Sequence, residues 1–207
     1  MSLETWLAFL GASALLVMLP GPTILTVISY SIAQGRRARL PLVLAVALGD
    51  STALLLSLLG LGALLAASAF WFTAVKIVGG LYLLYLGFKL LRAGVSPATL
   101  PAASAAGSRW KLFANTYLVT ALNPKGIIFF VAFLPQFIDP AGDVTRQLWI
   151  LSATFVACAG INATAYAIFA GSARRLLASP RAQRGFNLGG GALLSAAGIW
   201  ALLARRV

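Results

Sequence analysis

The sequence predicts an all-α membrane protein: six transmembrane helices in an inverted three-plus-three repeat, with the first and fourth helices broken. Three observations predict it. Hydrophobic residues fill 60% of the 207 positions and charged residues only 10%, against roughly 25% charged in an ordinary soluble domain. Apolar stretches of bilayer-crossing length recur from end to end. Two of them carry a helix-breaking motif at matching places, Pro20-Gly21-Pro22 in "LVMLPGPTILTV" and Asn123-Pro124-Lys125-Gly126 in "ALNPKGIIFF".

The spans are expected near 6–32, 40–66, 70–92, 110–136, 147–170 and 186–203. In the first, proline lacks an N–H and its ring clashes with the preceding turn, so the helix must stop or kink. Glycine at 21 is expected to allow backbone angles that other residues avoid. The second span holds Asp50, and its Ala45, Gly49 and Ala53 recur every four residues. With Gly80 and Gly87 of the third span they read as close helix contacts, and Lys76 near that span's outer edge as a snorkelling side chain. The fourth span has Thr116 and Thr120 before its break, and the fifth has Thr154, Cys158, Asn162 and Tyr166 along one side. Trp6, Trp71, Trp110, Trp149 and Trp200 fall near span ends, as interfacial aromatics do.

No segment reads as a separate soluble domain. Residues 1–207 form a single membrane domain, with one repeat about 1–95, a mobile Ala/Ser/Pro-rich link about 94–109, and a second repeat about 110–207. Three spans separate the two broken helices, so the second half is inverted relative to the first. The links carrying Arg36, Arg37 and Arg39, then Lys89, Arg92, Arg109 and Lys111, then Arg174, Arg175, Arg181 and Arg184 share one side. That side is expected to be cytoplasmic, which puts both termini outside. Arg205 and Arg206 run against this: either they are translocated, or the last span is not fully transmembrane, the first being favoured.

Composition also excludes. The net charge of +12 lies in short juxtamembrane clusters, with no basic, aromatic-interleaved face for nucleic acid. With no histidine, four acids and a single cysteine, metal centres, internal disulfides and histidine-dependent catalysis find no residues to build them. No cofactor or metal is expected, and the protein is not expected to be an enzyme. The start, "MSLETWLAF", lacks the positive n-region of a cleavable signal.

Each break lies some fourteen residues into its span, or ~21 Å along an upright helix, deep in a ~30 Å hydrocarbon core. Irregular backbone at that depth survives where it is buried in protein or lines a cavity. The restarting helices present free N–H groups and positive dipole ends, near Thr23 and near Lys125. Simple packing kinks are the alternative. Asp50 lies about ten residues into its span, and a membrane-buried carboxylate costs at least ~2.5 kcal/mol. It suits carrying a proton or holding an ammonium; gluing helices is the alternative. Lys125 suits either a substrate carboxylate or neutralisation of Asp50. Asn162 and its polar neighbours suit either interhelical hydrogen bonding or substrate contact. The candidate substrate-binding residues are therefore Pro20, Gly21, Pro22, Thr23, Asp50, Asn123, Pro124, Lys125 and Asn162, with Asp50 as the proton-coupling group.

"LPGPTIL", "GD", "KIVGGLYLLYLGFKLLR" and "NPKG", in this order and spacing, resemble the lysine exporter / homoserine–threonine resistance family of bacterial amino-acid exporters. The likeness covers nearly the whole chain and is strongest in its first 130 residues. The family's motif residues map onto Pro20, Gly21, Pro22, Gly49, Asp50, Gly80, Gly87, Asn123, Pro124 and Lys125. The resemblance implies a secondary transporter of the bacterial inner membrane. It would expel an amino acid or related small metabolite from the cytoplasm, in exchange for protons. A single buried acid slightly favours a neutral amino acid. The expected partners are that small molecule and the lipid bilayer, with homo-oligomerisation left open. The alternatives are a metal-ion or other small-solute transporter of the same architecture, or a non-transporting scaffold.

Overall fold

The computed structural model describes residues 1–67, 69–94, 101, 108–139 and 141–203, leaving out the side chains of 61–67, 69, 71–73, 75–76 and 201. Most of the 94–109 link, Arg205, Arg206 and the side chains of Trp71 and Lys76 lie outside the described residues. Those described are helical, with no strand among them.

Helix α1 (Leu3–Met18) starts at Ser2, whose Oγ accepts from the Thr5 amide at 3.1 Å. It stops at Leu19, which is extended, and the chain restarts as α2 (Pro22–Gln34) with proline at its first position, where the missing N–H costs nothing. Gly21 has φ −133° and ψ −174°, extended backbone open to any residue, so the expectation of unusual angles there is corrected. A Cβ there would lie 3.5 Å from Lys125 Nζ, an ordinary contact. The positive φ of 61° falls at Gly35, which ends α2 and opens a 3-10 turn, Gly35–Ala38.

Helices α3 (Arg39–Ala67) and α4 (Ala69–Leu91) follow. Helix α5 (Arg109–Ala121) is capped by Ser108, and the fourth span breaks after it. Asn123 caps the restart α6 (Pro124–Ile128), which continues as a π turn, Phe129–Phe133, and a 3-10 turn, Leu134–Phe137. Asp143 caps α7 (Val144–Ile168). Gln147 ties down the preceding loop, accepting from the Asp139 amide at 2.8 Å and donating to its carbonyl at 2.9 Å.

The stretch 172–185, expected to be a link, is instead helical. Helix α8 (Ala170–Ala178) buries Ala173 and Leu177 against Ile24 and Ile28 of α2 while leaving Arg174 and Arg175 exposed. Pro180 then opens α9 (Pro180–Leu203), six residues before the expected start of the last span. Short local burial of one apolar face made this helix; an average over a membrane-length window hides it.

Helices α4 and α9 cross at glycines. A Cβ on Gly191 would meet the Gly87 carbonyl at 2.8 Å, and one on Gly198 the Gly80 carbonyl at 2.8 Å. Gly49 of α3 likewise lies against Thr120 of α5. Lipid is as apolar as leucine, so close packing of this kind holds membrane helices together. Beyond the breaks, toward the Asp139–Asp143 loop, the core is aromatic. Phe9, Phe129, Phe133, Phe137 and Phe155 meet tilted or edge-on at centroid distances of 4.9–6.1 Å, and Trp200 joins from α9. Among the described residues Pro22–Gly60, Arg109–Phe137 and Val144–Ile168 are long and apolar enough to cross a membrane, and Leu3–Met18 and Ile77–Leu91 are shorter apolar helices.

Candidate functional site

The two interruptions meet. Asn123, before the second restart, donates through Nδ2 to Thr23 Oγ1 in the first turn of α2 at 3.2 Å, while its Oδ1 accepts from the Lys125 amide at 3.1 Å. One side chain therefore joins both restarting helices.

The C-terminal end of α1 is held as tightly. A helix leaves its last four carbonyls unpaired, a cost that grows inside a membrane. Here the carbonyls of the α1 terminus find side-chain donors. Lys125 Nζ donates to Leu16 and Leu19, each at 3.0 Å; Asn162 Nδ2 donates to Val17 at 2.8 Å; and the Tyr166 hydroxyl donates to Met18 at 3.1 Å. An ammonium at this position also sits at the negative end of the α1 dipole. The hydrogen bonds of Lys125 go to backbone carbonyls. The Lys125 and Asp50 charges still interact electrostatically.

Between these ends lies a cavity of about 40 Å³, lined by Thr23, Asp50, Asn123, Lys125 and Asn162, with Val46 and Phe155 among its apolar walls. That volume admits water. Asp50, in the middle of α3, is buried. The first turn of α2 supplies amides without intrahelical partners, since the Leu25 amide is the one that reaches back to Gly21. Positive groups thus share a small space with one carboxylate.

Pro20, Gly21, Pro22 and Pro124 shape the breaks without lining the cavity. Of the polar stripe on α7, Asn162 both lines the cavity and bonds α1, Tyr166 bonds α1, and Thr154 accepts from Trp6 Nε1 at 3.0 Å. Trp6 is therefore a helix-to-helix contact, while Trp110 and Trp149 are exposed. The role of the Leu16–Leu19 carbonyls was missed: backbone carries no residue signature, although the rule for helix ends would have predicted four orphan acceptors before Pro20.

Residues 14–205 match the family described as "LysE type translocator". The chain is 33% identical over 187 residues to an "Uncharacterized membrane protein" of Vibrio cholerae, covering 90% of this chain and 91% of that one. It is 31% identical over 204 residues to the "Homoserine/homoserine lactone efflux protein" of Salmonella typhimurium, covering 99% and 98%. With the "Leucine efflux protein" of Salmonella choleraesuis it shares 30% identity over 152 residues, 73% of this chain and 71% of that one. No solved structure matches.

Proposed function

The chain belongs to the LysE type translocator family, and from that premise we propose that it is a secondary transporter exporting a small amino acid from the cytoplasm in exchange for protons. The observation that carries this reading is the placement of Asp50 and Lys125 on one small cavity where two broken helices meet. A zwitterion needs an anion site and a cation site at short range. The first turn of α2 and Lys125 suit its carboxylate, and Asp50 suits its ammonium. Asp50 then holds either the substrate ammonium or a proton, and that mutual exclusion is what antiport requires. The carbonyls that could hold a sodium ion at a broken helix already accept from Lys125, Asn162 and Tyr166, which favours protons. A single acid favours a neutral substrate, in keeping with relatives named for homoserine and leucine efflux.

The architecture we infer is one membrane domain of two inverted repeats, about 1–95 and 110–207, rocking against each other. The sides rich in arginine face the cytoplasm and the N-terminus lies outside, in the bacterial inner membrane.

Proteoliposomes loaded with labelled homoserine, leucine or lysine test this directly. An imposed pH gradient should accelerate release of a neutral amino acid over lysine, and Asp50→Asn should abolish the gradient's effect. Release of none of the three, or release indifferent to Asp50→Asn, would point to a scaffold or another solute.

A further inference from the structure

Helices α2 and α5 pack against each other, and their contact is polar from the breaks outward. At the deep end Asn123 donates to Thr23 at 3.2 Å; seven residues along α2, Asn115 Nδ2 donates to the Tyr30 hydroxyl at 3.2 Å. That is a rise of about 10 Å, directed toward the end where Arg36 and Arg37 follow α2 and Arg109 and Lys111 open α5.

Both helices also carry buried hydroxyls without partners. Thr26 and Thr120 bond back to their own helices at 2.8 Å. Thr116, one turn from Thr120, has a fully buried hydroxyl that bonds nothing, and so have Ser29 and Ser31 of α2. A buried unsatisfied hydroxyl is costly, and a permanent helix contact in lipid would be served as well by alanine. The opposite side of the cavity is mainly aromatic: between the breaks and the Asp139–Asp143 loop stand Phe9, Phe129, Phe133 and Phe137, with Ser13 of α1 as an unpartnered buried hydroxyl among them.

We propose that the α2–α5 seam is the path by which the cavity exchanges substrate and water with the arginine-rich side, with the hydroxyls of Ser29 and Thr116 hydrated when the two helices part and Tyr30–Asn115 closing the outer edge. This rests on the transport reading above. The aromatic cluster is the seal that remains shut meanwhile. The path suits a small zwitterion, because hydroxyls satisfy either charge without trapping it.

The chain's single cysteine makes the test clean. In Cys158→Ala protein in oriented vesicles, Ser29→Cys and Thr116→Cys should react with a charged, membrane-impermeant methanethiosulfonate. The reaction should be roughly tenfold or more faster from the side that labels the exposed marker Arg37→Cys, as expected for a minor open state. Leu83→Cys, equally buried in the core, should stay unreactive from both sides. A reducible bifunctional thiol reagent joining Tyr30→Cys to Asn115→Cys should stop homoserine or leucine release, and reductant should restore it. Labelling of both seam cysteines no faster than Leu83→Cys, or from the opposite side only, overturns the path, as does undiminished release after cross-linking. Seam labelling as expected in protein that releases no amino acid would instead refute the transport reading and leave the opening intact.

Discussion

Lys125 Nζ lies 3.0 Å from the carbonyl oxygen of Leu19, so the ammonium of the second break caps the helix that ends at the first. The two interruptions are therefore one structure, with the Lys125 side chain tying α6 to the end of α1.

Replacing Lys125 with Met removes the ammonium while keeping most of the side-chain volume. The Leu16 and Leu19 carbonyls then lose a charged donor, worth roughly 1.5–3 kcal/mol for a single such bond. The expected result is a lower melting temperature in detergent together with loss of amino-acid release. A melt identical to the parent would show that the cap contributes nothing.

Asp50→Asn should separate function from folding. The amide is nearly isosteric, so membrane insertion and the melt should change little. Substrate affinity should fall by ~2 kcal/mol or more, the cost of truncating one member of a buried charge pair, or roughly 30-fold. Binding measured by scintillation proximity in detergent reads this without any gradient.

Asn162 and Tyr166 bond adjacent carbonyls but differ in their surroundings. Tyr166→Phe removes one partly exposed hydrogen bond to Met18 and should cost about 1 kcal/mol, with transport retained. Asn162→Leu strips the Val17 carbonyl and alters the cavity wall, so it should lower both stability and the rate of release. Equal effects of the two in a paired melt and flux assay would contradict the geometry.

Glycine substitutions should separate packing from helix propensity. Gly191→Ala places a methyl 2.6 Å from Leu91 Cγ and 2.8 Å from the Gly87 carbonyl, and overpacking of this kind costs roughly 1–3 kcal/mol. Gly160→Ala, inside α7 with nothing within 4 Å of the added carbon, should stabilise by roughly 0.5–1 kcal/mol. Thermal melts of the two variants in the same detergent should therefore shift in opposite directions.

Much of the architecture was legible in the residue order. Bilayer-length apolar runs, Pro20 and Pro124 state where helices run and where they break, because hydropathy and the missing proline N–H act locally. The helix α8 was not legible, since its apolar face is only Ala170, Ala173 and Leu177 and exists by virtue of Ile24 and Ile28 opposite. Nor was the approach of Gly21 to Lys125 Nζ, 104 positions away in the chain.

By itself, then, the sequence determined an all-helical membrane chain, two interrupted spans, and the short roster of polar groups able to act inside it: Asp50, Asn123, Lys125 and Asn162. Only the tertiary structure decided which groups face one another. Lys125 went to the carbonyls of Leu16 and Leu19, Asn123 to Thr23, and Asp50 to the cavity wall. The physical reason is that helix-end carbonyls are strong acceptors carried by every residue alike. Their demand for donors inside lipid is set by where the chain stops, and it is met by whichever side chain the fold brings near.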